Sequence, residues 1–162
     1  MLFRSTLIAL FAISWALLPI GASACSRPDS WTQQTIFDEA KEVFRARVTK
    51  VELSDYVETV GPAKGGRYLV HVSYELKEVL KGEPKPSGPI STTTLYFGGC
   101  GVPVIVGTDY IFFIDDFPDE VPEAARENSS GLISIFGTES LSPFEERAEE
   151  AMAKVRSYGA RP

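Results

Sequence analysis

The amino-acid sequence predicts a mainly β fold, a small closed barrel of five strands with a short helix before it and an amphipathic helix after it. Alternation of apolar and polar residues predicts the strands, and it is clearest from Arg67 to Leu80. The apolar positions of the first strand change parity between Val48 and Val51, which indicates a bulge because side chains alternate strictly along a strand. A long, bent first strand is what a small closed barrel needs at its corner.

The chain before the first strand predicts a short helix over about residues 31–40. Ser30 and Gln33 have the spacing of a capping box, a common helix start. The apolar residues that follow fall on one helical face: Ile36, Phe37 and Ala40. We expect this face to pack against the strands.

Turn residues divide the next part of the chain into strands and loops. The first strand covers Val43 to Leu53, and the glycine and proline residues of Ser54 to Gly66 predict a hairpin loop. The further predicted strands are Arg67–Leu80, Ile90–Phe97, Asp109–Ile114 and Gly131–Phe136. The strand that begins at Asp109 is otherwise apolar throughout, which predicts that both of its faces are covered. The segment from Asp115 to Ser130 is acidic and contains proline, and we predict that it is a loop.

The C-terminal part of the chain predicts an amphipathic helix. Ser142 to Glu145 combine an N-cap serine, a proline at the first helical position and a capping glutamate. An apolar stripe at helical spacing comprises Phe144, Ala148, Ala151, Met152 and Val155. Five strands, a bent first strand and a helix at each end together predict a Greek-key barrel of the oligonucleotide/oligosaccharide-binding type, the OB-fold.

Residues 1–24 have the pattern of an export signal. One arginine precedes an apolar run from Leu7 to Leu18, and the small residues Ala22 and Ala24 have the spacing of a cleavage site. The alternative is a transmembrane anchor, but the run is shorter than the roughly 18 to 20 residues that a spanning helix needs. We therefore expect residues 25–162 to form a single exported domain, secreted or periplasmic, without a transmembrane segment.

Composition argues against nucleic-acid binding and against catalysis. The net charge is −6, whereas binding to a phosphate backbone depends on lysine and arginine. The only histidine, His71, has no cluster of metal ligands beside it in the sequence, and we expect it to be an exposed strand residue. The sequence has neither a glycine-rich phosphate loop nor a Gly-x-Ser-x-Gly element. These features predict a monomeric binding module rather than an enzyme, with no cofactor and no metal of its own.

The two cysteines are open to more than one fate. In an exported chain, Cys25 and Cys100 favour one disulfide bond, because such compartments are oxidising. A second possibility is lipidation of Cys25, although a lipoprotein signal usually has leucine where this chain has Ala22. A third is that Cys25 is an ordinary buried thiol.

Short matches between the predicted signal and the fourth strand carry a family resemblance. They are Cys25–Ser26, Gln33–Phe37, Val43–Val48, Leu76–Gly82, Cys100–Val102, Gly107 and Tyr110–Ile111. In these segments the chain resembles the tissue inhibitors of metalloproteinases and related netrin-like modules, as a minimal, bacterial member. The resemblance covers about residues 25–115 in patches, and it implies an OB-fold.

The resemblance implies a specific mode of action. In that family the residue after the signal is a disulfide-bonded cysteine whose α-amino group and carbonyl oxygen chelate the zinc of a protease. Here that residue would be Cys25, bonded to Cys100, and the next residue, Ser26, would point into the substrate pocket. An α-amino group has a pKa of about 7.7 to 8, so a usable fraction is neutral and can bind metal. The animal members have a further cysteine where this chain has Arg27.

Two functional predictions follow from these observations. The first is an exported binding module that inhibits a zinc metalloprotease, with Cys25 as a ligand to the partner's zinc. The second is a cell-envelope interaction protein or lipoprotein with the same barrel and no inhibitory activity.

Overall fold

The computed structural model describes residues 30–59, 65–93, 101–119, 121–126, 129–141 and 147–160. The strands are β1 (Glu42–Thr59), β2 (Gly65–Lys81), β3 (Ser87–Thr93), β4 (Asp109–Asp115), β5 (Leu132–Ile133) and β6 (Glu139–Leu141). The helices are α1 (Gln33–Glu39), α2 (Glu123–Arg126) and α3 (Ala148–Gly159). The predicted signal, residues 1–24, lies outside the described residues.

The strands form a closed barrel of the predicted Greek-key type. The barrel order is β1-β2-β3-β5-β4, and β1 pairs with β4 to close it. The pairing of β3 with β5 is parallel, with Ser91 opposite Leu132, and the other pairings are antiparallel. β6 pairs with the first half of β4, and β5 pairs with its end. The fold is therefore mainly β, with five strands in the barrel and helices at its flanks, as predicted.

The parity change in β1 is a β-bulge at Thr49. Val48 lies opposite Tyr74 and Lys50 lies opposite Ser73, so Thr49 is an extra residue without a counterpart in β2. Before the bulge, the even-numbered apolar residues of β1 point into the barrel, and after it the odd-numbered ones take that face. The predicted bulge in the first strand is confirmed.

β4 is apolar on both faces, and each face lines a separate core. The barrel core consists of Phe44, Ala46, Val48, Val72, Tyr74, Ile90, Tyr110, Phe112, Ile114 and Ile133. The second core lies beneath α1 and α3. This helix-covered core consists of Ile36, Phe37, Ala40, Val43, Ile111, Phe113, Leu141, Met152 and Val155. Burial on both faces explains the unbroken apolar run in β4, as predicted.

The first helix begins two residues later than its predicted start. Thr32 is the N-cap, because its side-chain oxygen accepts a hydrogen bond from the Thr35 N–H. The Thr35 hydroxyl oxygen in turn accepts one from the Thr32 N–H. These two threonines form the capping box, and the prediction that Ser30 and Gln33 form it is wrong.

The C-terminal helix α3 is described from Ala148 onward, and its predicted start at Ser142 to Glu145 lies outside the described residues. Met152 and Val155 are buried in the helix-covered core. Ala148 and Ala151 pack against the same core, so this part of the predicted apolar stripe is confirmed. The stripe attaches α3 to the barrel.

Strand pairing moves several predicted boundaries. Ser54–Thr59 belongs to β1 rather than to a loop, because its residues pair with the start of β2. β3 begins at Ser87, and its predicted end lies outside the described residues. β5 ends at Ile133, and the chain then turns through Gly137, where a Cβ atom would lie 2.5 Å from the ring of Phe113. The sequence pattern predicts neither α2 nor β6.

Candidate binding surface at the barrel mouth

Residues 101–108, here called the mouth segment, cross one end of the barrel. The Val102 N–H donates to the Thr92 hydroxyl oxygen of β3 over 3.0 Å. The Gly107 N–H donates to the Val48 carbonyl oxygen of β1 over 2.8 Å. The side chains of the segment that pack against the barrel core are Val102 and Val104. The segment therefore spans from β3 to β1 and covers the barrel core at this end.

The mouth segment is held by a buried tyrosine. The Tyr110 hydroxyl accepts a hydrogen bond from the Ile105 N–H over 3.0 Å and donates one to the Pro103 carbonyl oxygen over 3.2 Å. Gly107 has a φ of +85°, a conformation that glycine adopts without steric cost. The resulting turn leaves Ile105 and Val106 exposed by 65% and 55%.

Beyond the barrel, β1 and β2 continue as a two-stranded ribbon, and the described side chains on the face that continues the barrel core are apolar. Val72 lies in the barrel core, and Val70 and Tyr68 follow it on the same face of β2 at two-residue spacing. Leu53 lies directly opposite Val70, so the two side chains share this face. Leu53 is 63% exposed and Tyr68 is 38% exposed.

The ribbon and the mouth segment meet at the same end of the barrel. Val70 of the ribbon lies opposite Thr92, the residue whose hydroxyl anchors the mouth segment. We call the exposed apolar residues at this end the mouth surface: Leu53, Tyr68, Ile105 and Val106. Exposed apolar residues grouped on a hydrogen-bonded framework are typical of a protein-binding surface.

Sequence reasoning assigned none of these four residues to a site. The signal that was available is the apolar run from Val104 to Val106, which stands directly before a glycine and outside any predicted strand. An apolar loop residue is a candidate for contact with a partner, because loops are usually polar and exposed.

A charged cluster holds the start of β4, directly after the mouth segment, to β1. Asp109 accepts hydrogen bonds from Arg45 over 2.9 Å and from Arg47 over 2.6 Å. Burial acts to raise the pKa of the Asp109 carboxyl, but the hydrogen bonds and charges of Arg47 and Arg45 outweigh it and hold the pKa below its ordinary value. The cluster joins β1 to the start of β4 and has a structural role.

His71 is half-buried, and the prediction of an exposed residue is wrong. A ring nitrogen, Nδ1, lies 2.9 Å from the hydroxyl oxygen of Ser91, which is opposite His71 in β3. Because Ser91 is fully buried, a substrate has no access to its hydroxyl. Within the described residues, no group of three or more His, Cys, Asp and Glu side chains could hold a metal ion.

The N-terminal end of α1 lies near the start of β4, the strand that follows the mouth segment. Gln33 donates to Glu139 over 2.7 Å, and Glu139 lies opposite Ile111 of β4. At the other end of α1, the Lys41 N–H donates to the Ile114 carbonyl oxygen over 2.9 Å. α1 therefore runs in the same direction as β4. The N-terminus of α1 lies on the side of the first residues of β4, which directly follow the mouth segment.

One lysine holds the C-terminal end of α1 to the barrel. The Lys81 ammonium of β2 donates to the carbonyl oxygens of Phe37, Asp38 and Ala40 over 2.8, 2.7 and 2.6 Å. These carbonyls lack partners within the helix, so the ammonium replaces water at a helix end. Lys81 thus joins the C-terminal end of α1 to β2.

The residues that sequence reasoning assigned to a site, Cys25, Ser26 and Cys100, lie outside the described residues. Their pairing and exposure therefore stay predictions. No protein-family model matches the chain, and no curated protein is significantly similar to it. In the described part of the chain, no helix is long and apolar enough to cross a bilayer.

Proposed function

We propose that the chain is an exported binding module that docks a protein partner on the mouth surface and inhibits a zinc protease through Cys25. The observation that carries the proposal is the exposure of Leu53, Tyr68, Ile105 and Val106 at one end of a closed barrel. Apolar side chains presented by a rigid framework lose little conformational freedom on binding, which favours tight association.

The position of the mouth supports a role for the chain's N-terminus. Cys100 immediately precedes Gly101, the first residue of the mouth segment. Cys25 precedes Thr32, the N-cap of α1, by seven residues, a span of at most about 25 Å when extended. This reach would allow Cys25 to approach Cys100, and we propose that a disulfide bond joins the two cysteines beside the mouth surface.

The chemistry of inhibition follows from a free N-terminus at Cys25. A neutral α-amino nitrogen and the carbonyl oxygen of the same residue are two ligands that a catalytic zinc can accept. Such a zinc keeps one position for water and can expand to five ligands, so both atoms can bind once the water has left. Ser26 then enters the substrate pocket, and the mouth surface supplies the surrounding contact area.

A cell-envelope interaction protein is the second candidate function. The exposed apolar residues of the mouth surface support it, because they suit a protein partner of any kind. In this case Cys25 carries a lipid or only a disulfide bond, and the partner is not a protease.

Mass spectrometry and inhibition titrations separate the two functions. The intact mass of the mature protein, with and without reductant, shows whether Cys25 carries a lipid. We expect an unmodified, disulfide-bonded N-terminus that inhibits at least one zinc protease of a panel, and an N-acetylated form that does not. Equal potency of the native and acetylated proteins would rule out chelation. A lipid-sized mass addition would favour the envelope function.

A pair of variants tests the mouth surface itself. Ile105→Lys should weaken partner binding by about tenfold or more, because it places a charge in an apolar contact. Val79→Lys is the matched control, since Val79 is also exposed, by 48%, but lies opposite Phe44 within the barrel and not in the ribbon. Equal binding by the two variants would show that the partner docks elsewhere.

A further inference from the structure

A charged groove lies between α3 and β6. Its volume is about 370 Å³, and its lining residues are Glu139 of β6, Arg147 at the N-cap of α3, and Glu150, Ala151 and Lys154 of the helix. Ala151 is half-buried and packs against the helix-covered core, so it forms the floor, whereas the four charged residues are exposed. We call this feature the α3 groove. Its volume lies within the range of small-molecule sites, about 300 to 1,000 Å³.

Helical spacing puts the two cations of the groove on either side of its floor. The Ala151 N–H donates to the Arg147 carbonyl oxygen over 2.9 Å, so Arg147 already belongs to the first helical turn. Arg147, Ala151 and Lys154 follow one another at i, i+4 and i+7, which places them on one face of the helix. The two cations are then about 10 Å apart along the helix axis. The small alanine between them leaves room for a group that contacts both.

The charges on the helix side of the groove do not pair with one another. Within the described residues, the side chains of Arg147, Glu150 and Lys154 form neither a salt bridge nor a hydrogen bond. Glu150 and Lys154 stay apart although their i, i+4 spacing favours an ion pair on a helix. These groups are therefore available to a ligand.

Hydrogen bonds hold the carboxylate on the opposite side of the groove. The Gln33 amide nitrogen donates to Glu139 Oε1 over 2.7 Å, and the Tyr158 hydroxyl donates to the Gln33 amide oxygen over 3.2 Å. This chain of bonds joins β6, α1 and α3 and restricts the rotation of the Glu139 side chain. A carboxylate that is already oriented loses little conformational freedom when it binds a ligand.

We propose that the α3 groove binds a small zwitterion, a free amino acid or a dipeptide. Its carboxylate lies between Arg147 and Lys154, and its ammonium lies at Glu139. The helix side carries two cations and one anion, and the β6 side carries one anion. A zwitterion complements both sides, whereas a simple anion or a simple cation is repelled by one of them.

The size of the groove agrees with a ligand of this class. A dipeptide is about 7 Å long when extended, which is shorter than the separation of the two cations along the helix. The proposal is independent of the proposed function, because the groove contains no residue of the mouth surface.

Nuclear magnetic resonance titration of the isotope-labelled mature chain with dialanine tests the proposal, at low ionic strength. The comparison ligands are N-acetyl-dialanine, which lacks the ammonium, and dialanine amide, which lacks the carboxylate. Dialanine should bind saturably and shift the amide resonances of α3 and β6. Each blocked form should bind about tenfold more weakly or worse, because it loses hydrogen bonds between charged groups.

Two groove variants assign the two ends of the ligand. The double variant Arg147→Gln, Lys154→Gln should lose the preference for a free carboxylate, so that dialanine and dialanine amide bind equally weakly. Glu139→Gln should instead lose the preference for a free ammonium, so that dialanine and N-acetyl-dialanine bind equally weakly. Its amide oxygen can still accept the bond from Gln33, so the side chain keeps its position.

Glu149→Gln and Lys85→Gln are the matched controls, because both residues are exposed and neither lines the groove. Both variants should bind dialanine like the native chain. Any of three results would overturn the proposal: dialanine leaves the α3 and β6 resonances unchanged at every concentration, the three ligands bind the native chain equally, or the controls weaken binding as much as the groove variants. Circular dichroism spectra that match the native spectrum show that a variant is folded, so that a loss of binding is not a loss of structure.

Discussion

The helix-covered core and the mouth surface contain the same kinds of side chain, but only the core is covered. Ile111 and Phe113 of β4 are fully buried beneath α1 and α3. Leu53, Ile105 and Val106 at the mouth are more than half exposed, although hydrogen bonds hold the mouth segment. Truncating a buried apolar side chain removes transfer free energy and leaves a cavity, whereas truncating an exposed one changes folding little. The first group therefore maintains the fold, and the second is available to a partner.

The largest effect that this comparison predicts is for Phe113→Ala. The Phe113 ring is fully buried, and its centroid lies 6.3 Å from that of Phe37 in an edge-to-face contact. We expect the free energy of unfolding to fall by about 3 to 5 kcal/mol in urea titrations. Ile105→Ala is the control and should change it by less than about 0.5 kcal/mol. Similar losses in the two variants would contradict the division between core and mouth.

The next effect concerns the attachment of α1. Lys81→Met keeps most of the apolar stem but removes the ammonium that binds the carbonyl oxygens at the end of α1. We expect a loss of about 1 to 3 kcal/mol in the free energy of unfolding, because three hydrogen bonds from a charged donor to partly exposed carbonyl oxygens are lost.

Tryptophan fluorescence reports whether the loss in Lys81→Met arises at α1. Trp31 precedes α1, and its ring centroid lies 5.6 Å from that of Phe136, so looser docking of the helix should shift its emission to longer wavelength. Lys77→Met is the control, since in the described part of the chain Lys77 bonds Glu75 on its own strand and no carbonyl of α1. An unchanged spectrum and unchanged stability in Lys81→Met would mean that packing alone positions α1.

The two ends of β4 should respond to acid with opposite sign. The arginines beside Asp109 hold its pKa below 3.8, so its stabilising contribution is full above that value and is lost as pH falls through the folded-state pKa. Burial raises the pKa of Asp115 above 3.8, so its contribution is present below that value and is lost as pH rises through the folded-state pKa.

Asparagine substitutions separate these two contributions. Asp109→Asn should lower the free energy of unfolding at neutral pH by about 1 to 2 kcal/mol, because it weakens the bonds to Arg45 and Arg47. It should also reduce the loss of stability in acid, whereas Asp115→Asn should reduce the loss as pH rises above 3.8. Urea titrations at several pH values measure both, and the same pH profile in the two variants would contradict the assignment.

Local sequence patterns predicted the features that are encoded within a single strand. The bulge at Thr49 follows from the parity of apolar residues in β1, and the two covered faces of β4 follow from its unbroken apolar run. The sequence pattern did not predict that β1 continues from Ser54 to Thr59. The pairing of these residues with β2 is set by the extension of the hairpin and not by their own side chains. β6 was not predicted either, because this three-residue strand forms only by pairing with β4.

The mouth surface could not be predicted because its geometry depends on contacts between distant residues. The path of the mouth segment is set by bonds to Thr92 of β3 and to Val48 of β1, and Val48 stands far from the segment in the chain. No local pattern shows which face of such a segment is exposed. Conversely, the sequence singles out Cys25, Ser26 and Cys100, and their roles stay predictions. In the proposed function, sequence and structure supply different parts of one site.

The smallest expected effect on stability, and the most informative for function, is that of Leu53→Lys. Leu53 is 63% exposed, so the free energy of unfolding should change by less than about 0.5 kcal/mol. The proposed partner, in contrast, should bind about tenfold more weakly or worse, because its apolar surface would have to desolvate the new ammonium. Urea titration and a binding titration on the same sample give both values. A stability loss as large as that of Phe113→Ala would show that Leu53 belongs to the core and would remove it from the mouth surface.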